Sequence, residues 1–222
     1  MKTLIIVNLF LLTFVPPCFS QQSEIIKRKG FEILFINQNP VLNPDTKKGL
    51  IDTFFKIYPA LVRDFNKDAI KKVKVEIDTS YTGVAYANNG KITISAQWLE
   101  KEPLDFDMII HEAMHIVQSY PKRSGPGWLI EGIADYVRSQ YGITNKETGW
   151  SLPEYNEKAH YTNSYRVTAR FLIWVCKNYN KNLVLYLDEN LRNNTYTPML
   201  WQKYTSFTIE ELWKKYAKNP RL

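Results

Sequence analysis

The sequence predicts an α+β chain: a small mixed sheet backed by one helix, followed by a helical half. Three observations carry this. Apolar residues alternate with polar ones along short runs up to Ser95. From Asp105 onward they recur at helical spacing instead. Among the short runs, Asn89-Gly90 is a tight hairpin turn, because both positions tolerate positive φ.

Taken in order, Gln21 to Gly30 is a polar, charged lead-in. Phe31-Glu32-Ile33-Leu34-Phe35-Ile36 reads as the first strand. Asn37 to Pro44 is a turn region. Asp45 opens an amphipathic helix reaching about Phe65, with Leu50, Ile51, Phe54, Phe55, Tyr58, Leu61 and Val62 on one face. Pro59 falls inside it and predicts a kink or a division into two pieces. Val73 to Ile77 alternates as a strand, and Gly83-Val84-Ala85-Tyr86 and Lys91 to Ser95 flank the hairpin turn. Helices are expected at about 105–120, 129–141, 164–179, 182–192 and 208–217. Ser124-Gly125-Pro126-Gly127 breaks the first two apart.

The chain has 222 residues and is 45% hydrophobic, enough for one domain with a real core. Met1-Lys2, the apolar run Leu4 to Val15 and Cys18-Phe19-Ser20 have the layout of a cleaved export segment. Residues 1–20 are therefore expected to be removed, leaving 21–222 as a single domain with a cleft between its halves. The run is too short for a spanning helix, which needs about 20 apolar residues. Two prolines before Cys18 argue against a lipid anchor there. Only Cys176 remains after cleavage, so no internal disulfide forms, and its apolar setting suits an inert buried thiol.

The net charge is +7, with basic residues in scattered groups rather than a stripe. That keeps the protein soluble. It makes an acidic surface polymer a candidate partner and gives no nucleic-acid motif.

His111-Glu112-Ala113-Met114-His115 is an H-E-x-x-H match, and it uses two of the chain's three histidines. Residues four apart share a helix face, so two imidazoles can grip one zinc ion. Glu112 lies about 100° round the helix from His111, where a carboxylate can act as general base toward water. Ile109, Ile110, Ala113, Ile116 and Val117 are expected to face the core. Zinc requires a third ligand, and the next helix offers Glu131 with Asp135 one turn on. Asp135 would accept the free ring N–H of His111 and fix its tautomer. Gly132 and Ala134 are small enough to let this helix pack closely.

H-E-x-x-H followed by E-x-x-x-D resembles the thermolysin-like zinc peptidases, though the spacer from His115 to Glu131 is shorter than in thermolysin. The chain more closely resembles the plant basic secretory proteins and their bacterial relatives, from about Gly83 to Trp174. The matching residues are Gly83-Val84-Ala85-Tyr86, the 111–115 motif with Gln118 after it, Pro126-Gly127-Trp128 through Arg138, Tyr165, and Thr168-Ala169-Arg170-Phe171-Leu172. The resemblance implies a zincin-like peptidase fold and an extracytoplasmic role. The His111, His115 and Glu131 set implies one Zn2+ per chain, and the chemistry it supports takes a peptide or protein as substrate.

Peptide hydrolysis also needs a donor for the developing oxyanion. Tyr165 is the first candidate, with Tyr161 and His160 behind it. An endopeptidase is expected over an aminopeptidase, because no G-x-M-E-N motif is present. A non-catalytic module binding cell-wall or surface glycan is the rival, and the presence of Glu112 argues against it.

Overall fold

The computed structural model describes residues 22–163 and 165–222. The expected export segment, residues 1–20, lies outside them. β1 (Gln22–Arg28) and β2 (Phe31–Asn37) form an antiparallel hairpin across Lys29-Gly30, whose φ angles are 50° and 82°. Most of the polar lead-in is thus a strand. It was illegible as one because β1 is paired on one side only and its residues stay largely exposed. Without a buried face, nothing forces an apolar alternation.

α1 (Pro44–Asp64) connects β2 to the parallel strand β3 (Lys72–Asp78). Asn43 caps it, its side chain accepting from the amides of Asp45 at 2.7 Å and Thr46 at 3.4 Å, and Pro44 fills the first turn. The helix is continuous through Pro59 rather than divided. Leu50, Phe54, Tyr58 and Leu61 are each buried to within 1%. At roughly 1.5–3 kcal/mol per buried side chain, this face offsets the about 3 kcal/mol that an internal proline costs.

β4 (Ala85–Asn88) and β5 (Lys91–Ser95) form the second hairpin, with Asn89 and Gly90 at φ 48° and 73°. The sheet order is β1-β2-β3-β5-β4, mixed in direction, which leaves β4 as a free edge. One face of the sheet is apolar, through Ile33, Phe35, Val73, Val75, Ile77, Ile92 and Ile94, all buried. α1 and α3 (Met108–Gln118) pack together, and α3 also meets β4 and β5. Asp105 to Asp107, expected inside the helix, form the turn before it.

A short helix, α2 (Ala96–Lys101), follows β5 directly. Beyond α3 come α4 (Gly127–Tyr141), α5 (Tyr165–Asn178), α6 (Leu183–Arg192), α7 (Met199–Thr205) and α8 (Ile209–Lys218). α2 and α7 span six and seven residues, too few for a helical period to stand out. One hydrophobic cluster runs from the sheet through Leu129, Ile133 and Val137 of α4 to Phe171, Trp201 and Tyr216. Cys176 is only partly buried, and that burial raises its thiol pKa. Among the described residues no helix is long and apolar enough to cross a membrane.

Candidate metal centre

α3 turns Met108, Ile109, Ile110, Ala113, Met114, Ile116 and Val117 inward. His111 and His115 lie only partly covered on the helix, at 12% and 18% side-chain exposure. α4 packs beside it and brings Glu131 and Asp135 to the same place. His111 Nε2, His115 Nε2 and Glu131 Oε2 form a triangle with all three sides 3.2 Å. A tetrahedral ion with bonds of about 2.0 Å would hold its ligand atoms about 3.3 Å apart, close to this spacing.

The outer nitrogen of each imidazole is committed. His111 Nδ1 lies 2.7 Å from Asp135 Oδ1, and an ionised carboxylate can only accept, so Nδ1 carries the proton. His115 Nδ1 lies 2.8 Å from Gln118 Oε1. The amide of Gln118 cannot be reversed, because its Nε2 donates to the carbonyl of Ile130 at 3.0 Å. Both Nε2 lone pairs and the Glu131 carboxylate then face one point. Three electron pairs at this spacing repel unless a cation sits among them, and the donor set of two imidazoles and a carboxylate is the one zinc takes. His111, His115 and Glu131 are a group able to hold a metal ion.

The electrostatics agree. Burial works against a charged imidazole at His111, but its bonds to Asp135 and Glu131 outweigh that and raise its pKa to about 10. Burial would likewise push Glu131 up, yet the two imidazoles hold it well below the usual carboxylate range. Without a metal, His111 therefore keeps a proton that Asp135 and Glu131 stabilise, and a cation at the triangle would take that proton's place. Glu112 is 7% exposed beside it, and burial raises its pKa while the imidazoles pull it partly back.

The triangle opens into a cleft of about 720 Å³, lined on one side by Val84 to Ala87 and on the other by Glu131, Asp135, Arg138, Tyr165 and Arg166. Trp98, Met108 and Trp150 also line it. A second hollow of about 490 Å³ shares Ala87 and His115 with the first and continues past Asn88, Ile116 and Tyr120. The β4 edge borders both.

Tyr165 lies at the cleft, 52% exposed, with its ring 6.4 Å from that of His111. Tyr161 and His160 do not line it. Tyr161 is buried against Trp128, Phe171 and Trp213, and the tilted ring of His160 lies against it with centroids 4.0 Å apart. The expected close packing at Gly132 is against α5 rather than α3. A Cβ added there would stand 2.2 Å from Thr168 Cγ2.

Sequence reasoning assigned no role to Gln118, although a polar residue three after His115 on a largely apolar helix is a legible signal. It also missed the brace beside the cleft. Arg138 donates to Asp105 at 2.6 Å, both buried, and its guanidinium lies over Trp150, while Trp98 Nε1 donates to Asp105 at 3.1 Å. This joins the approach to α3 onto α4. Arg138 and Asp105 are far apart in sequence, so only the fold pairs them.

No curated protein matches the sequence. Among solved structures, an M1 zinc metallopeptidase from Deinococcus radiodurans is similar, with a TM-score of 0.56 and 12% identity over 91% of this chain and 52% of that one. A two-domain M1 zinc metallopeptidase variant bound to L-arginine gives a TM-score of 0.53 and 12% identity over 89% and 51%. The chain thus spans about half the length of these structures, and the likeness is one of fold. The family model described as "Peptidase of plants and bacteria" matches residues 35–216. A match of that extent, over a chain whose fold is similar to that of M1 zinc metallopeptidases, places this protein in the family of peptidases of plants and bacteria.

Proposed function

We propose that this protein is a secreted zinc-dependent endopeptidase, with residues 21–222 as its working unit. The observation that carries the reading is the equilateral His111–His115–Glu131 triangle with the buried carboxylate of Glu112 beside it. In this reading those three residues hold one zinc ion and Asp135 orients His111. Zinc, when bound, polarises the scissile carbonyl and acidifies water.

The chain's own groups do the rest. Glu112 accepts a proton from the attacking water and returns it to the leaving amine, and its raised pKa suits both transfers. Tyr165 donates to the developing oxyanion from the cleft wall. The free edge of β4 pairs with an extended peptide, as exposed strand edges do. Because that edge borders hollows on both sides of His115, it can support substrate on either side of the scissile bond. This favours internal cleavage. Export rests on the character of residues 1–20.

Zinc-loaded protein incubated with a mixed peptide library, read by mass spectrometry, tests the reading. Internal cleavage is expected, abolished by chelator and restored by zinc. Release of single terminal amino acids alone would overturn the endopeptidase assignment. No cleavage by folded, zinc-loaded protein would overturn the peptidase assignment and favour a binding role.

A further inference from the structure

Away from the metal, a hollow of about 340 Å³ is lined by Lys29, Gly30, Phe31, Pro59, Val62, Arg63, Lys67 and Lys71. Four of these are cations and none is an acid. They come from three places in the chain: the β1–β2 turn, the end of α1 and the loop before β3. Arg63 is turned onto Asp64, with Nε 2.7 Å and Nη2 2.9 Å from its carboxylate oxygens. Lys29, Lys67 and Lys71 are exposed and make no ion pair among the described residues. The floor between them is apolar, from Phe31, Pro59 and the buried Val62. Like charges gathered over a concave apolar floor attract a multiply charged anion.

The position of the hollow selects among anions. Lys67 and Lys71 belong to one short loop, and the residues between them, Asp68, Ala69 and Ile70, line the second hollow of the metal cleft. A peptide leaving the cleft on that side crosses one loop to reach the lysines. We propose that Lys29, Lys67 and Lys71 form an exosite that holds an acidic stretch of a protein substrate while a bond elsewhere in that substrate occupies the cleft. This rests on the peptidase reading and adds a substrate class to it: proteins carrying a run of Asp or Glu at a distance from the scissile bond.

The test compares peptides that share one cleavable core. One carries a Glu tract beyond a Gly-Ser spacer and the other a Gln tract, each with spacers of several lengths on either side. Wild-type protein should cleave the best acidic peptide with kcat/KM about three- to tenfold above its neutral twin, through KM. Added salt should erase the gain, since exposed charges are screened over about 8 Å at physiological ionic strength. The triple variant Lys29→Ala, Lys67→Ala, Lys71→Ala should lose the gain and cleave the neutral peptide at the wild-type rate. Equal rates on both peptides at every spacer, or a gain that survives in the triple variant, overturn the proposal. Anisotropy of a labelled Glu-tract peptide tests the pocket separately from turnover, so the exosite and the peptidase reading can fail independently. Equal binding by wild type and variant overturns the exosite even if cleavage is seen. Tight binding of polygalacturonate or anionic vesicles to the lysines, with no rate gain on acidic peptides, would likewise overturn it in favour of a surface-anchoring role.

Discussion

The side-chain amide of Gln118 fixes the ring of His115: its oxygen lies 2.8 Å from Nδ1, and its nitrogen is tied to the carbonyl of Ile130. Replacing Gln118 with Leu should weaken zinc binding about 10- to 100-fold, by freeing the imidazole to turn and to change tautomer. Competition against a zinc chelator measures this, with circular dichroism as the fold control. Unchanged competition would mean that the contact only packs the helix.

Asp135→Asn should have an effect of similar size at the other imidazole, about 10- to 100-fold. The amide keeps the shape and one acceptor oxygen but removes the charge that favours the His111 N–H at 2.7 Å. Chelator competition and peptide turnover should fall together. If both match wild type, Asp135 does not tune the metal.

Glu112→Gln should cost at least about a hundredfold in kcat while zinc stays bound, because the carboxylate is buried beside the triangle without being one of its corners. The experiment needs metal content and turnover from the same preparation. A variant cleaving at the wild-type rate would falsify the base assignment.

Zinc should stabilise the fold, since the triangle joins α3 to α4. At a free metal concentration a thousandfold above Kd the gain is about 4 kcal/mol, or roughly 10 °C in Tm for a chain of this size. Calorimetry with zinc and with chelator should give midpoints separated by that order. Coincident midpoints would show that no tight site forms.

Gly132→Ala should destabilise by about 1–3 kcal/mol despite the better helix propensity of alanine, because the new methyl would stand 2.2 Å from Thr168 Cγ2 in a fully buried contact. Combining it with Thr168→Ser removes that methyl but leaves Thr168 Cβ 2.6 Å from the added carbon, so only part of the loss should be recovered. A single variant as stable as wild type in urea would mean that α4 and α5 are not packed this closely.

Local patterns in the sequence determined much of the fold. Short strand-like runs revealed β2, β3 and β5, with a clean alternation at β3, and helical spacing revealed α1, α3, α4, α5, α6 and α8. The i, i+4 spacing of His111 and His115, and of Glu131 and Asp135, places each pair on one helix face without reference to anything else. What the sequence could not carry was any property set by a neighbour distant along the chain. β1 is a strand only because β2 pairs with it. α1 runs through Pro59 because the sheet and α3 hold its buried face. The 3.2 Å triangle, the Arg138–Asp105 brace and the gathering of Lys29, Lys67 and Lys71 around one hollow depend on how whole elements dock. Sequence periodicity records which face of an element is buried. The partner it meets, and the distance at which charged groups then stand, is settled by packing between elements, and that is where this protein's candidate chemistry takes shape.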